Sequence, residues 1–541
     1  MKSSGWLLLT LVGVLVLAGC RAGLLALNTL LLSSAVVALT VPIGCVLAVL
    51  TSRTDLPGRR FSAAVLAGLL LVPLFVQAGA WQAALGADGW FTSSIAAPPL
   101  IDGWRGAIWI HSVAALPWVV FIVASGLMFV ERELEEQALL DGASWQVALQ
   151  VTLRRSAGAI GIAAVWVALV AAGEMAVTDF FQVRTFAEEL YTAFALGDVQ
   201  PTGGSGDPGA NALTVGIPGT AGVWVGMVVI AAMLAGALLL VRGLVSLTRR
   251  PGRKSPHVFH LGAWRWFTSA SVFVVLGLLA GLPLTSLAWK AGVEVVDAPH
   301  GRVRQWSASK CVDMIALNPT IAGGRLKIRH QKELGWSLAV GTIAATACLT
   351  LAFPVAWFAG RGGWRTATGL AAVVWLWAVP RPVIGLAIIA LMNRPEIPGL
   401  TYLYDRTISP LVLACMAHSL PLATLVLWSS FCAVPKEFLE NAQLEGANLP
   451  QRWWHVVLPL RWRVLVVAWI VAFVWSLAEL DASVLVAPPG ITPLSSHIFG
   501  LLHFGAQDQV AGLCLAFFLA VEIAAAVCWA FLHRWSTASR S

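Results

Sequence analysis

Residues 111–153 read HSVAALPWVVFIVASGLMFVERELEEQALLDGASWQVALQVTL, and residues 418–458 read HSLPLATLVLWSSFCAVPKEFLENAQLEGANLPQRWWHVVL. In each stretch an apolar run leads into a short acidic segment and a glycine, after which the chain becomes apolar again. Four residues align at one constant offset: Pro117 with Pro421, Glu136 with Glu440, Ala138 with Ala442, and Gly142 with Gly446. Such internal similarity predicts a chain built from two copies of one unit.

The composition indicates that lipid is the main solvent of both copies. Of the 541 residues, 58% are hydrophobic and only 11% are charged, and the mean hydropathy is +0.80. A soluble globular chain carries about 25% charged residues. The net charge of +8 is scattered between apolar runs, which favours membrane topology over nucleic-acid binding. We therefore predict an all-α integral membrane protein, because a helix satisfies its own backbone hydrogen bonds in lipid.

Apolar stretches long enough to cross a bilayer, roughly 20 residues each, occur about twelve times. They are residues 5–20, 28–50, 62–85, 106–130, 158–178, 220–242, 266–289, 336–359, 367–391, 409–432, 464–484 and 509–532. The first is short and ends in Leu17-Ala18-Gly19-Cys20, a tetrapeptide also typical of lipoprotein cleavage sites. Because another apolar run begins at Asn28, a first membrane helix is the preferred interpretation.

The twelve predicted helices divide into two parallel-repeat halves of six. We predict an N-terminal half at 1–245, a cytoplasmic linker at 246–265 and a C-terminal half at 266–541. Most of the 35 lysines and arginines fall in or beside segments that face the cytoplasm if the N-terminus is inside. Many of the others lie in the single long loop 290–335. Long loops are translocated across the membrane largely regardless of their charge. Both termini are therefore expected in the cytoplasm.

A polar loop follows the fourth predicted span of each half, at about 131–157 and 433–463. Each reads as a short helix, a glycine turn and a second short helix. Small alanines let another surface approach closely, and the glycine can adopt the positive φ that ends a helix. On the cytoplasmic side, such a loop is suited to docking a partner.

The pattern resembles the EAA loop of bacterial ABC importer permeases, and two copies resemble the fused MetI-like domains of ferric-iron and thiamine permeases. In that family the loop seats on the ATP-binding subunit. The resemblance assigns this coupling role to Glu136, Ala138, Asp141, Gly142, Glu440, Ala442, Glu445, Gly446 and Pro459. The chain departs from the pattern at Gln137 and Asn441, which replace the first alanine, and at Arg154, which stands where the second copy has Pro459.

The partners follow from the resemblance and from an absence. The sequence has no Gly-Lys-Ser or Gly-Lys-Thr of a phosphate-binding loop, so ATP hydrolysis is expected on separate subunits. The resemblance implies two cytoplasmic ATP-binding subunits, a periplasmic substrate-binding protein and the lipid of a bacterial inner membrane. No catalytic residues, cofactor, metal site or nucleic-acid partner are expected. Ferric iron is the first substrate expected from the architecture, with thiamine, polyamine and sulfate left open.

Ionisable residues inside the membrane are candidates for a translocation pathway, because burying them is costly. Glu174 and Glu479 occupy equivalent places near the ends of the fifth and eleventh spans. They either face a shared pathway that passes a cation or cap their own halves.

Arg381, between Pro380 and Pro382, either lines the outer mouth of the pathway or snorkels to the membrane interface, and the second is preferred. Pro73 and Pro380 occupy similar places in the third and ninth spans, where proline can break a helix and free carbonyls towards a cavity. The two histidines at 111 and 418 are expected to be packed or hydrogen-bonded rather than metal ligands.

Two other classes of protein remain alternatives. A secondary transporter can also be built from repeats, but it typically places broken-helix ion sites near the midplane and needs no docking loops. A membrane-embedded enzyme would need clustered histidines and carboxylates at one depth, which the sequence does not suggest.

Overall fold

The computed structural model describes residues 21–87, 89–94, 98–142, 144–196, 220–248, 257–298, 301–315, 320–322, 325–327, 330–394, 396–505 and 507–538. The predicted span 5–20, with its Leu-Ala-Gly-Cys tetrapeptide, lies outside these residues. The fold over the described residues is helical, with two small β-hairpins outside the helices that could cross a membrane. The prediction of an all-α membrane protein is therefore confirmed in its coarse form.

The first set of helices covers the region before residue 249. Its elements are α1 (Arg21–Arg53), α2 (Arg59–Leu71), α3 (Leu74–Leu85), α4 (Trp90–Ser94), α5 (Gly103–Leu127), α6 (Arg132–Asp141), α7 (Ser144–Val147), α8 (Ala157–Gly173), α9 (Ala176–Phe180), α10 (Phe186–Ala195) and α11 (Thr220–Thr248). Helix α1 packs on α5 and α8, and α5 packs on α8. Small residues allow these close approaches: a Cβ at Gly44 would collide with Val119, and one at Gly126 with Ala159.

The second set begins with two helices joined by a π-helical segment and continues through the long outer loop. Its elements are α12 (Arg265–Leu276), α13 (Leu282–Gly292), β1 (Val293–Ala298), β2 (Gly301–Trp306), α14 (Ala308–Ile315), β3 (Thr320–Ala322), β4 (Arg325–Lys327), α15 (Gln331–Ala359), α16 (Trp364–Ala378), α17 (Arg381–Met392), α18 (Pro398–Arg406), α19 (Ser409–Cys432), α20 (Lys436–Leu444), α21 (Leu449–Arg452), α22 (Leu458–Leu477), α23 (Ser483–Val486), α24 (Leu494–Phe504) and α25 (Gln507–Ala538). Helix α15 packs on α19 and α22, as α1 packs on α5 and α8.

Seven helices in the described residues are long and apolar enough to cross a membrane, or up to nine if each of two bent pairs is one span. Two shorter apolar helices, Ala157–Gly173 and Val229–Val245, lie where the spans 158–178 and 220–242 were predicted. The protein is thus a multi-pass membrane protein by length and composition. The number twelve and the division into two halves stay predictions.

Both bent pairs break at a Val-Pro dipeptide. Helices α2 and α3 meet at Pro73 with a bend of 106°, and α16 and α17 meet at Pro380 with a bend of 102°. Proline has no backbone N–H and its ring clashes with the preceding turn, so a helix ends before it. The breaks place a helix C-terminus and a helix N-terminus inside the membrane region, beside the cavity described below.

The two sets of helices interlock rather than sit side by side. Helix α11 of the first set packs on α16 of the second, and α25 of the second packs on α2 and α3 of the first. One large apolar core, which includes Val36, Trp166, Ala352 and Phe518, draws residues from both sets. A site that lies between the sets is therefore lined by both.

Candidate translocation site and coupling loops

The loop at 433–463 ends its first helix in a Schellman motif. Gly446 has φ +84°, its N–H donates to Gln443 O at 3.0 Å, and the N–H of Ala447 donates to Ala442 O at 2.9 Å. These two bonds satisfy carbonyls that the helix end would otherwise leave free. Asn448 then begins α21 with a capping box, because its side chain accepts from Gln451 N and Gln451 bonds back to Asn448 N. The predicted helix, glycine turn and second helix are present here.

The loop at 131–157 turns differently. Gly142 has φ −154° and ψ 167°, an extended conformation open to any residue, so the prediction of a positive φ is confirmed at Gly446 and is wrong at Gly142. The physical reason is local. The first copy has one residue fewer after the glycine, and its chain runs straight on instead of closing the six-residue turn. In each loop a π-helical segment then leads into the next long helix, at Ala148–Leu153 and at Trp453–Val457.

This difference predicts unequal effects of alanine at the two glycines. Gly446→Ala forces a side chain into the left-handed region at a cost of about 1–2 kcal/mol, although the space around it is open. Gly142→Ala should change stability by less than about 0.5 kcal/mol, because its Cβ would meet the end of the Gln146 side chain, Oε1, at 3.2 Å and the Ala138 carbonyl oxygen at an ordinary contact distance of 3.8 Å. Hydrogen exchange of the 436–452 amides should rise in the first variant, and that of the 132–147 amides should stay unchanged in the second.

Two leucines at equivalent places on the polar loops are almost fully exposed. Leu140 of α6 and Leu444 of α20 each show 86% of their surface. Both lie in segments rich in charged residues, beyond the apolar helices that lipid would cover. The motif residues beside them are also accessible: Glu136, Glu440, Glu445, Gly446 and Pro459 are exposed, and Ala138, Gly142 and Ala442 are partly so. Exposed apolar residues rimmed by polar ones mark interaction surfaces.

The first loop is tied to the helices by a buried ion pair. The Arg53 guanidinium at the end of α1 contacts the Glu135 carboxylate of α6, and neither side chain is more than 1% exposed. Arg53 also donates to Leu127 O at 3.1 Å, and Thr152 Oγ1 donates to Glu135 Oε1 at 2.7 Å. The second copy has Leu439 at the place of Glu135, packed against the apolar core. The sequence analysis missed this pair because it aligned only the neighbouring Glu136.

A cavity of about 90 Å³ lies between the two sets of helices. Residues from both sets line it, including Pro73, Glu174, Val379 and Glu479. The two glutamates, predicted at equivalent positions, thus reach one shared space although each begins its own short segment. The Glu174 carboxylate accepts from Val177 N at 2.9 Å, and the Glu479 carboxylate accepts from Ala482 N at 2.8 Å. Lining the cavity and capping a helix are therefore compatible.

Each glutamate is paired with a histidine of the preceding long helix. His111 Nε2 lies 3.2 Å from Glu174 Oε2, and His418 Nδ1 lies 3.3 Å from Glu479 Oε2. All four side chains are buried. The prediction that the histidines are packed or hydrogen-bonded agrees with this geometry. No group of three or more potential metal ligands occurs among the described residues.

The preferred prediction for Arg381, that it snorkels to the membrane interface, is wrong, and the alternative of a residue that lines the pathway is closer to what is found. The Arg381 side chain points into the cavity and its Nη1 contacts Asp481 Oδ2 at 3.1 Å, with exposures of 20% and 2% for the two side chains. It does not snorkel to the membrane interface, because a buried carboxylate from the chain's far end supplies a nearer partner. Asp481 Oδ2 also accepts from Met175 N at 3.4 Å, so this carboxylate joins the two sets.

Four tryptophans close one side of this cavity. The ring of Trp118 lies 5.1 Å from Trp166 and 5.5 Å from Trp475, and Trp166 lies 4.2 Å from Trp377. Trp118 is two helical turns, roughly 10 Å, farther along α5 than His111, toward the end where α6 begins. The ring of His418 stacks on Trp475 at 5.2 Å. A bulky aromatic layer thus separates the charged cavity from the loops.

No protein-family model matches this chain. No curated protein matches it either. The likeness to importer permeases therefore rests on the repeated loop motif and its surroundings alone. Sequence reasoning found Glu174, Glu479 and the two proline breaks. It missed Asp481 as the partner of Arg381, and it missed the Arg53–Glu135 pair; both contacts join residues far apart in the chain, for which no local pattern exists.

Proposed function

We propose that this chain is the permease subunit of a binding-protein-dependent ABC importer in a bacterial inner membrane. In this proposal twelve spans form two MetI-like halves of six, with both termini in the cytoplasm. Each half offers one loop to one of two cytoplasmic ATP-binding subunits, and a periplasmic binding protein delivers the substrate. The chain carries out no covalent chemistry itself.

The pair of exposed leucines carries this proposal. A leucine on a charged loop loses about 2 kcal/mol of burial energy by facing water. One such residue is common on protein surfaces. Two at equivalent positions, each at the end of a motif helix, are what a permease needs to seat two identical partners. If the two loops were only linkers between spans, nothing would favour an exposed leucine at the equivalent position of both.

The cavity supports a cationic substrate. It holds three carboxylates, Glu174, Glu479 and Asp481, with Arg381 as the one arginine among its lining residues. Carboxylates are ligands that hard cations prefer, and their number here exceeds that of the guanidinium. Ferric iron stays our first substrate. A sulfate ion would meet repulsion in this cavity, so the acidic lining disfavours an anion.

Replacing both glutamates tests the pathway. Glu174→Gln with Glu479→Gln should lower uptake of radiolabelled iron by about tenfold or more, which is a rise of ~1.4 kcal/mol in the barrier, because the pathway loses two charges that stabilise a passing cation. Amounts of protein in the membrane should stay unchanged, since glutamine can keep one helix-capping contact. The matched control is Glu396→Gln, an exposed carboxylate outside both the loops and the cavity, which should leave expression and uptake unchanged. Uptake at the wild-type level in the double variant would contradict the pathway.

One observation favours a second candidate, an ion-coupled secondary transporter. Two helices broken at prolines meet at a buried cavity with charged side chains, as in many such transporters. The two candidates differ in their energy source. Uptake that requires the ATP-binding subunit and survives a proton uncoupler favours the importer, and uptake by this chain alone that an uncoupler abolishes favours the secondary transporter.

A further inference from the structure

The charged groups of the cavity fall into a symmetric and an asymmetric part. His111–Glu174 and His418–Glu479 occur once in each set of helices. The Arg381–Asp481 pair has no counterpart, because Leu74 follows Pro73 where Arg381 follows Pro380, and Ala176 occupies the place that corresponds to Asp481. The buried Arg53–Glu135 pair is also made once, but it lies at the first loop. The Arg381–Asp481 pair instead lies in the cavity that both sets line, which points to a task in the pathway.

Arg381 lies among the three carboxylates of the cavity, Asp481, Glu479 and Glu174. Its guanidinium contacts Asp481 at 3.1 Å and is attracted by the charges of the other two. Three carboxylates buried in an apolar wall are costly without a nearby positive charge. The guanidinium lowers that cost, and so would another cation that entered the same space.

The position of Arg381 in the chain also matters. It is the first residue of α17, directly after the bend at Pro380. Its partner Asp481 follows the end of α22 and touches Met175 of the other set. The ion pair therefore links the second half of a broken helix to the junction between the two sets. Releasing it would remove the link between the first residue of α17 and that junction.

We propose that the Arg381 guanidinium is a built-in substitute for the transported cation. It holds Asp481 while the pathway carries none, and an entering cation displaces it and releases α17. This inference rests on the proposed cation pathway and adds to it a gate and a substrate class, a cation that competes with a guanidinium for carboxylates.

A free guanidinium compound tests the proposal on the purified full-length chain. Arg381→Ala should open a space that methylguanidinium can fill, so millimolar methylguanidinium should raise the melting temperature of this variant in a saturable way. Wild type, Arg406→Ala on the exposed end of α18, and the double variant Arg381→Ala with Asp481→Asn should not respond. If Arg381→Ala does not survive purification, Arg381→Gln provides the same test. No response in the arginine variant would overturn the proposal.

Uptake measurements distinguish a gate from a structural bridge, because the two predict opposite effects of methylguanidinium on iron uptake by the Arg381→Ala variant. For a substitute cation in the pathway, methylguanidinium should inhibit iron uptake by the Arg381→Ala transporter several-fold and leave wild type unaffected. For a structural bridge it should restore uptake instead, and that result would overturn the proposal. Absence of iron uptake by wild type would refute the proposed substrate alone, because the thermal shift decides the guanidinium site without transport.

Discussion

Leu140→Ala combined with Leu444→Ala is expected to abolish binding of the ATP-binding subunit while the chain itself folds normally. Central apolar residues of an interface cost about 2 kcal/mol or more when truncated, which is about 30-fold in Kd for each loop. Both side chains are 86% exposed, so their removal takes almost nothing from the folded chain. Pull-down of a candidate ATP-binding subunit, with this chain as bait, measures the effect.

The matched control is Leu238→Ala. That leucine is 57% exposed on the apolar helix α11, away from both loops, and its truncation removes the same atoms. The control should bind the ATP-binding subunit as wild type does. Equal binding by the loop variant and the control would show that the exposed leucines do not form the docking surface.

Glu135→Ala is expected to be the most destabilising single change in the first loop. It leaves the Arg53 guanidinium buried and without its carboxylate, which costs about 3–5 kcal/mol. The Leu127 carbonyl and Thr152 would remain near the arginine but carry no compensating charge. We expect a lower melting temperature in detergent and faster hydrogen exchange throughout α6.

A double variant separates lost charge pairing from lost packing. Arg53→Met with Glu135→Leu removes both charges and places a leucine where the second copy already has Leu439. Replacing a buried ion pair by apolar groups is often neutral or stabilising, so this variant should recover most of the lost stability. If it melts as low as Glu135→Ala, the unpaired charge is not the cause.

The sequence predicted that apolar helices form and that proline can break them, because both depend on local chemistry. It predicted 62–85 and 367–391 as one span each, and each is two helices bent at the proline. Apolar length predicts a span, and a proline predicts where a helix stops, as at Pro73 and Pro380. The bends of 106° and 102° could not be predicted, since packing against the other set determines them. The turn at Gly446 was predictable from its motif, whereas the turn at Gly142 depended on the number of residues that follow.

Electrostatic partners were the part that sequence reasoning could not supply. Arg381 and Asp481 are brought together by the tertiary fold, and so are Arg53 and Glu135. Sequence patterns alone predict that the guanidinium of such an arginine lies at the membrane–water interface. In the folded chain a buried carboxylate stabilises the charge instead of water. The pairing follows from the packing of helices that are distant in the sequence, so it cannot be predicted from a local stretch.

The stoichiometry of the complex purified from membranes tests the central claim most directly. Native mass spectrometry should find two ATP-binding subunits bound to one copy of this chain, because each of its two loops seats one. Leu140→Ala alone and Leu444→Ala alone should each leave a complex with one subunit lost. A wild-type chain that carries no ATP-binding subunit would contradict the account, and the secondary transporter would then become the better proposal.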